Sequence, residues 1–333
     1  MSLLSSMVCD LPTPDLDARA AVAARAADVL RPAGALARLD EVAVWLAAWQ
    51  RTEHPAVEHP HAIVFAADHG VAAAGVSAYP AEVTVAMLDA LEKGAATSTA
   101  MAAALGVSLD VVDVGVARPT GDLRVEPAMD AMRFDEAVLA GIEAVDRAAA
   151  TGADLLVFGE MGIGNTTAAA AVAATLFDEP AAAWCGRGTG LDDEGVARKI
   201  AAVEAGRARA RASTDDPLEI LREVGGAELA AIAGAVVAAR KHSIPVVLDG
   251  YVVTAAVAPL ASARADALHH AIAGHRSAEP GHGRLLARLC LEPLLELDLR
   301  LGEGTGALAA VPLVRLAAVS VVEVATFQEW GLA

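Results

Sequence analysis

The stretch DLLVFGEMGIGNTTAAA, residues 154–170, combines a short apolar run, a glycine loop and an alanine-rich segment. Apolar residues in a run without alternation are typical of a strand that is buried on both faces of a parallel sheet. Alanine is a strong helix former, so the segment after the loop favours a helix. This order of strand, glycine loop and helix predicts a βα unit of an α/β fold.

Five further apolar runs have the same character, and alanine-rich helical segments separate them. We therefore predict an α/β fold with a six-stranded parallel sheet covered by helices. The predicted strands are Ala62–Ala67, Leu109–Asp113, Asp154–Gly159, Ala181–Cys185, Ile244–Leu248 and Ala267–Ala273.

The two ends of the chain have a different pattern. Residues 15–50 and 281–330 show helical patterns with little strand signal. They predict a small helical domain, formed by residues 1–59 and 285–333 together, beside a large α/β domain of residues 60–284.

Polar residues and glycines gather directly after the predicted strands. Ligands of open parallel sheets bind outside the carboxyl ends of the strands, so this clustering predicts a binding site at one edge of the sheet. The segments concerned are Asp68-His69-Gly70, Glu160–Thr167, Gly186–Gly190, Asp249-Gly250 and Gly274–Ser277.

Composition narrows the class of function. The net charge of −18 argues against a nucleic-acid partner or an anionic membrane surface. The N-terminus shows no basic start followed by an apolar core, and no apolar run reads cleanly as a membrane span. Cys9, Cys185 and Cys290 lie far apart, as suits a reducing compartment. We expect a soluble cytoplasmic enzyme.

The loop Gly162–Thr167 is a candidate phosphate site. Glycines let the backbone approach a ligand closely, and free N–H groups at the start of a helix favour an anion. The loop lacks the lysine of a Walker A motif and the third glycine of a dinucleotide fingerprint. A tight βα turn that binds nothing is the alternative.

A second glycine loop, with Gly188 and Gly190, could offer backbone N–H groups to a carboxylate, or could be an ordinary connection. Lys199, on the predicted helix that follows, could reach back to an anion. A solvated surface lysine is the common alternative.

Glu303 lies between glycines in the segment Arg300–Gly306, between a helix predicted to end near Leu299 and another predicted to start near Thr305. It could stabilise the start of the following helix. The flanking glycines favour a second interpretation, in which Glu303 is a general base in a loop that approaches a ligand.

The histidines form no recognised set of metal ligands, including the pairs His59/His61 and His269/His270. We expect neither a catalytic metal nor another cofactor, and structural or substrate-positioning roles for the histidines.

Taken together, the motifs resemble the nicotinate-nucleotide–dimethylbenzimidazole phosphoribosyltransferase family. The matching stretches follow the family's order: ADHGV at 67–71, VVDVGVA at 111–117, GEMGIGNTTAAAA at 159–171, CGRGTGLDDEG at 185–195, DPLEILREVGGAELAAIAGA at 216–235, PVVLDGYVVTAA at 245–256, GHRSAEPGH at 274–282 and LEPLLELDLRLGEGTGALAAVPL at 291–313.

The resemblance implies a Rossmann-like sheet, a homodimer, and transfer of phosphoribose from nicotinate mononucleotide to a benzimidazole-type base. It also implies residue roles. Glu303 would be the base that deprotonates the incoming azole, and Glu160 a second carboxylate of the site. The phosphate or ribose would contact Gly162, Ile163, Gly164, Asn165, Thr166, Thr167, Lys199 and Ser277, and the nicotinate would contact Gly188, Gly190 and Asp249.

This chain departs from the family where the acceptor base is expected to bind. Ala86 stands where the family usually has Gln before Met87, and Ala90 replaces a common Asn. We expect Ala86 to line the acceptor side and to alter the choice of base.

Two other functions share the predicted donor pocket. One is a nicotinate mononucleotide N-glycosidase that uses water as acceptor. The other is a non-catalytic nucleotide-binding protein. The presence of both Glu160 and Glu303 argues against the second, because binding alone needs neither carboxylate.

Overall fold

A computed structural model describes residues 2–332 of the chain. Six strands form one parallel sheet in the spatial order β2-β1-β3-β4-β5-β6. The predicted α/β fold with a six-stranded parallel sheet is confirmed. The strands are β1 (Pro60–Ala67), β2 (Ser108–Gly115), β3 (Leu155–Met161), β4 (Val246–Leu248), β5 (Ala271–Arg276) and β6 (Pro293–Glu296).

Helices cover both faces of the sheet. They are α1 (Leu3–Val8), α2 (Leu16–Asp28), α3 (Arg38–Gln50), α4 (Val83–Glu92), α5 (Thr97–Leu105), α6 (Ala131–Ala150), α7 (Asn165–Leu176), α8 (Asp193–Ser213), α9 (Pro217–Val224), α10 (Ala227–Lys241), α11 (Tyr251–Ala263), α12 (Pro280–Leu289) and α13 (Thr305–Val322).

The central strand β3 shows why its run of apolar residues does not alternate. Leu156 and Phe158 pack in the core that contains α6, α7, α10 and α11. Leu155 and Val157 point to the opposite face, where they pack with α3 and α13. Successive strand residues face opposite sides of a sheet, so a strand covered on both sides is apolar throughout.

The predicted strand Ala181–Cys185 is wrong. Ala181–Ala183 forms a short 3-10 helix that ends at Trp184. Its alanines have low strand propensity, and Pro180 precedes them. The run is apolar because Ala181 and Trp184 are buried, not because it pairs with another strand.

The sixth strand lies instead in a segment that was predicted to be helical. Residues Pro293–Glu296 form β6, which pairs with β5 through Ala273–Pro293 and His275–Leu295. β6 is a half-exposed edge strand, so it lacks the apolar run that marks the central strands. The predicted strand Ala267–Ala273 is also displaced, because β5 begins at Ala271. The predicted helix start at Thr305 is confirmed.

The terminal segments pack partly on each other. Helices α2 and α3 contact α13, whereas α1 contacts α6 and α10 on the other side of the sheet. A separate small helical domain from residues 1–59 and 285–333 stays a prediction, and β6 shows that part of this segment joins the large sheet.

Helix α13 is, within residues 2–332, the one helix long and apolar enough to cross a membrane by length and composition. A core helix meets the same criteria, and 56% of the α13 window is buried inside the fold. The helix packs against β3, β4 and β5, as a core helix does.

Candidate active site

A cavity of about 110 Å³ opens at the carboxyl ends of β3, β4 and β5. Glu160 lies at the end of β3, Asp249 follows β4, and Ser277 follows β5. Residues 300–302, in the loop before α13, form another wall. The parallel order of the strands brings these distant segments to one edge of the sheet.

Most of the predicted binding residues meet at this cavity. Gly164 lines an adjoining pocket of about 50 Å³ that shares the same glycine loop. Lys199 lies behind the wall, whereas Thr167, Gly190, Glu303 and Ala86 are not part of the wall of either cavity. The predicted residues that line the main cavity are Glu160, Gly162, Ile163, Asn165, Thr166, Gly188, Asp249 and Ser277.

The glycine loop leads into α7 without a side-chain cap. Gly164, the N-cap residue, has a φ of +97°, a left-handed conformation that glycine adopts without strain. A Cβ at Gly162 would lie 2.5 Å from the carbonyl oxygen of Ala67, so a larger residue would displace the loop from β1. The uncapped start of α7 therefore presents its helix dipole to the cavity, as anion sites require.

Lys199 lies directly behind the glycine loop that was predicted to bind phosphate. Its side chain is buried, and Nζ donates hydrogen bonds to Thr166 Oγ1 at 2.8 Å and to the carbonyl oxygen of Gly186 at 3.4 Å. Burial lowers the pKa of Lys199, although the nearby Glu279 carboxylate opposes that shift. The solvated-surface alternative for Lys199 is wrong, because the ammonium group joins the two glycine loops from inside.

Glu160 is a buried carboxylic acid at the end of β3. Burial raises its pKa well above the ordinary carboxyl value, and the carboxylates of Asp249, Glu228 and Glu303 raise it further. The side-chain amide of Asn165 donates a hydrogen bond to Glu160 Oε2 and opposes the shift. Burial and the neighbouring carboxylates thus favour the protonated form of Glu160.

Glu303 is joined to Glu160 through the backbone, since its N–H donates to the Glu160 carbonyl oxygen at 3.0 Å. Its own carboxylate is buried, and Oε2 accepts hydrogen bonds from Ser98 Oγ at 3.0 Å and from Ser98 N at 3.4 Å. Ser98 belongs to the first turn of α5, which has no capping side chain at its N-cap. In this structure Glu303 therefore caps α5, not the helix α13 that follows it in sequence.

The glycines around Glu303 have a reason that the sequence did not reveal. A Cβ at Gly302 would lie 2.7 Å from Glu160 Oε1, and a Cβ at Gly159 would lie 2.3 Å from the backbone nitrogen of Gly304. The loop thus lies directly against the end of β3. Its glycines permit contact between two protein segments, and close approach to a ligand is not needed to explain them.

Ala86 is exposed on α4 and does not reach the main cavity in this structure. The contact between α4 and the site runs through Thr84, whose Oγ1 accepts a hydrogen bond from Ile163 N at 3.2 Å. The expected role of Ala86 in acceptor choice stays a prediction.

Comparison with known proteins decides the family. A family model described as phosphoribosyltransferase (DBI_PRT) matches residues 11–332. The chain belongs to this phosphoribosyltransferase family. It is 49% identical to the nicotinate-nucleotide–dimethylbenzimidazole phosphoribosyltransferase of Mesorhizobium japonicum, over 99% of this chain and 97% of that protein. The match to the protein of the same name from Methylocella silvestris is 49% identical and covers 95% and 92% of the two chains.

Solved structures of the family support the same fold. The crystal structure of CobT from Thermus thermophilus superposes with a TM-score of 0.91 at 44% identity. The alignment covers 95% of this chain and 99% of the Thermus chain. The resemblance inferred from the motifs is confirmed over nearly the whole length.

The sequence did not single out several residues of the cavity wall. Tyr251 and Glu279 line it, and so does His275, whose Nε2 lies 3.4 Å from Asp249 Oδ1. Glu279 is part of GHRSAEPGH, from which Ser277 alone was selected. The position of GHRSAEPGH directly after a predicted strand is the sequence feature that could have identified His275 and Glu279.

Within residues 2–332, no structural feature indicates a metal site or a disulfide bond. No group of three or more His, Cys, Asp or Glu side chains there is arranged to hold a metal ion. Cys9, Cys185 and Cys290 are free thiols, and burial raises the pKa of Cys185 to about 11. Such a thiol is unreactive at neutral pH.

Proposed function

We propose that this member of the family transfers the phosphoribosyl group of nicotinate mononucleotide to 5,6-dimethylbenzimidazole or a related base. The products are nicotinate and α-ribazole 5'-phosphate, an intermediate for the nucleotide loop of cobalamin. One observation carries the proposal: an uncapped helix start backed by a buried lysine lines one cavity together with the carboxyl group of Glu160, and Glu303, a second carboxyl group, is bonded to the backbone of Glu160 behind that wall. The helix start and the lysine suit the binding of a phosphorylated donor, and the carboxyl groups suit proton transfer.

The bond changes need little from the protein beyond positioning and one base. An unprotonated azole nitrogen attacks C1' of the ribose, and the bond from C1' to the pyridinium nitrogen breaks. That electron pair neutralises the pyridinium, so nicotinate leaves without an acid. The second azole nitrogen then loses its proton to a carboxylate. Holding both rings about one ribose carbon supplies much of the remaining rate.

The two carboxyl groups have different roles in this proposal. A general base must be ionised before it can take a proton. Burial raises the pKa of Glu160 and so makes it the weaker candidate for the base, and its place in the cavity wall suits contact with a ribose or phosphate oxygen. Glu303 takes the role of base by its position in the family motif, and its Oε2 accepts hydrogen bonds from Ser98 in this structure. We assign Glu303 as the base, released from Ser98 when the azole binds.

Release of nicotinate distinguishes the proposal from both alternatives. A transferase releases nicotinate only when a base is supplied, whereas an N-glycosidase releases it at the same rate without one. A non-catalytic protein binds nicotinate mononucleotide, as calorimetry would show, and releases nothing. Base-independent release or binding without release would each contradict the proposed transfer.

We also propose a cytoplasmic homodimer whose partners are its small-molecule substrates, with no nucleic acid and no membrane. Exposed Met132 and Leu139 lie two turns apart on one face of α6. An exposed apolar patch of this kind is typical of a protein interface. Light scattering coupled to gel filtration tests the dimer, and a monomeric mass at assay concentration would contradict it.

A further inference from the structure

His282 is a buried histidine that contacts the cavity wall from behind. It lies in the first turn of α12 and is fully buried. Its Nδ1 lies 2.9 Å from Ser277 N and 3.0 Å from Ser277 Oγ, and its Nε2 lies 3.0 Å from Thr254 Oγ1. Ser277 lines the cavity, whereas His282 does not.

These contacts fix which ring nitrogen carries the hydrogen. The backbone N–H of Ser277 can only donate, so Nδ1 must be the unprotonated acceptor. The hydrogen therefore lies on Nε2, which donates to Thr254 Oγ1. Burial, together with His275, lowers the pKa of His282 to about 3, although Asp249 opposes the shift. The ring is neutral and is held from both ends.

The held segment belongs to the site. Ser277 follows β5, and the next residue, Ala278, donates its N–H to the carbonyl oxygen of Leu299 at 3.0 Å. Leu299 immediately precedes the wall residues 300–302. Thr254 is itself fully buried on α11, so the far end of the imidazole is anchored in the core. These contacts fix two loops of the cavity in position relative to α11.

We propose that His282 is a positioning residue that orients Ser277 toward an oxygen of the phosphoribosyl donor. The single in-plane lone pair of Nδ1 is occupied by the backbone N–H of Ser277. The hydroxyl hydrogen of Ser277 can then turn to a phosphate or ribose oxygen. This inference rests on the proposed function for the identity of the donor, and on the contacts of His282 for the mechanism.

Two substitutions separate the two ends of the ring. His282→Asn keeps an acceptor near the Nδ1 position and loses the bond to Thr254. His282→Gln keeps a donor near the Nε2 position and loses the acceptor for Ser277. Both remove part of the ring, so both should lower the melting temperature to a similar extent.

The expected result is asymmetric. His282→Gln should raise KM for nicotinate mononucleotide by about 2- to 13-fold, the range for one net hydrogen bond. His282→Asn should keep the wild-type KM, and kcat should stay unchanged in both. In a Ser277→Ala background, His282→Gln should raise KM by a smaller factor. Equal losses in the two variants, or none in either, would overturn the positioning role.

Two further measurements do not depend on turnover. The ¹⁵N resonances of the His282 ring in the resting wild-type protein should show an unprotonated Nδ1 and a protonated Nε2, and the opposite tautomer would overturn the inference. If the wild type releases no nicotinate with any base, the proposed function fails by itself. In that case the affinity of the two variants for inorganic phosphate is compared by calorimetry. Weaker phosphate binding in His282→Gln alone supports the positioning role of His282, and equal phosphate binding in both variants contradicts it.

Discussion

The residues that line the cavity and the residues near α4 and α5 beside it are held differently. On the side proposed for the donor, the Gly162–Thr166 loop, the buried Lys199 and Ser277 are held by hydrogen bonds within the fold. On the side of α4 and α5, Ala86 is exposed and the Glu303 carboxylate is bonded to Ser98. The residues proposed to bind the donor are thus held by contacts within the fold, whereas the proposed base is bonded to Ser98. We therefore propose that binding of the donor and activation of the acceptor are separate events.

Glu160 and Glu303 differ in the same way, although their backbones are hydrogen-bonded to each other. Glu160 lines the cavity, and burial and neighbouring carboxylates raise its pKa well above the ordinary carboxyl value. Glu303 is joined to it by one backbone hydrogen bond and is directed to a helix start. Substitutions on each side should therefore affect different kinetic constants.

The largest effect is expected for Glu303→Gln. The amide oxygen still accepts from Ser98, so α5 stays capped, but the side chain cannot take a proton. Loss of a general base lowers kcat by about 10²–10⁴. Steady-state kinetics should show this loss with an unchanged dissociation constant for nicotinate mononucleotide.

Glu160→Gln is the matched control. It keeps the shape and the hydrogen-bonding reach of the side chain, so kcat should fall by less than in Glu303→Gln. A dead Glu160→Gln beside a nearly normal Glu303→Gln would show that the base has been assigned to the wrong glutamate, and that Glu303 is only a cap.

An intermediate effect is expected for Lys199→Met, which keeps most of the side-chain volume but removes the charge. Loss of one charge-assisted hydrogen bond to a donor oxygen costs about 1.5–3 kcal/mol, roughly 10- to 150-fold in kcat/KM. The loss should appear mainly in KM for nicotinate mononucleotide. Arg198→Met, which changes an exposed cation one residue away, should leave KM unaltered. Equal KM values in the two variants would remove Lys199 from the anion site.

Gly302→Ala tests the close contact between the two sides. Gly302 has a φ of +87°, and a Cβ there would lie 2.7 Å from Glu160 Oε1. Gly94 has a similar φ of +72° with no atom within 4 Å of a Cβ, so Gly94→Ala measures the backbone strain alone. We expect Gly302→Ala to unfold more easily than Gly94→Ala by about 1–3 kcal/mol, the cost of overpacking. Equal free energies of unfolding in denaturant titrations would show that the Glu160 side chain can turn away from a Cβ at this position.

The smallest effect is expected on the acceptor side, for Ala86→Gln. One added side-chain hydrogen bond is worth about 0.5–1.5 kcal/mol, or about 2- to 13-fold in relative kcat/KM among benzimidazole bases. KM for the donor should not change. An unchanged order of preference among the bases would show that Ala86 lies outside the acceptor site. That result would agree with the exposure of Ala86 on α4.

The sequence correctly predicted the order of strand, glycine loop and helix around residues 155–176, because this order has a local sequence pattern. Glycine loops directly after apolar strands, such as 159–167, reveal both the turn and the start of the helix. The errors lie where tertiary contacts override local pattern. Ala181–Cys185 is apolar because Trp184 is buried, and it forms a 3-10 helix. Pro293–Glu296 lacks an apolar run and becomes a strand only because β5 offers it a partner.

The pairing of Glu303 with Ser98 could not have been predicted, because 205 positions separate the two residues. No pattern within either segment indicates that α5 lacks its own cap. The same is true of His282, whose contacts with Ser277 and Thr254 depend on how α11 and α12 pack.

The most direct test of the central claim is the mass of the ribosyl product. Wild-type protein incubated with nicotinate mononucleotide and 5,6-dimethylbenzimidazole should yield nicotinate and one ribosyl product, whose mass is that of ribazole phosphate. Ribose 5-phosphate in place of that product would show that water is the acceptor and would contradict the proposed transfer.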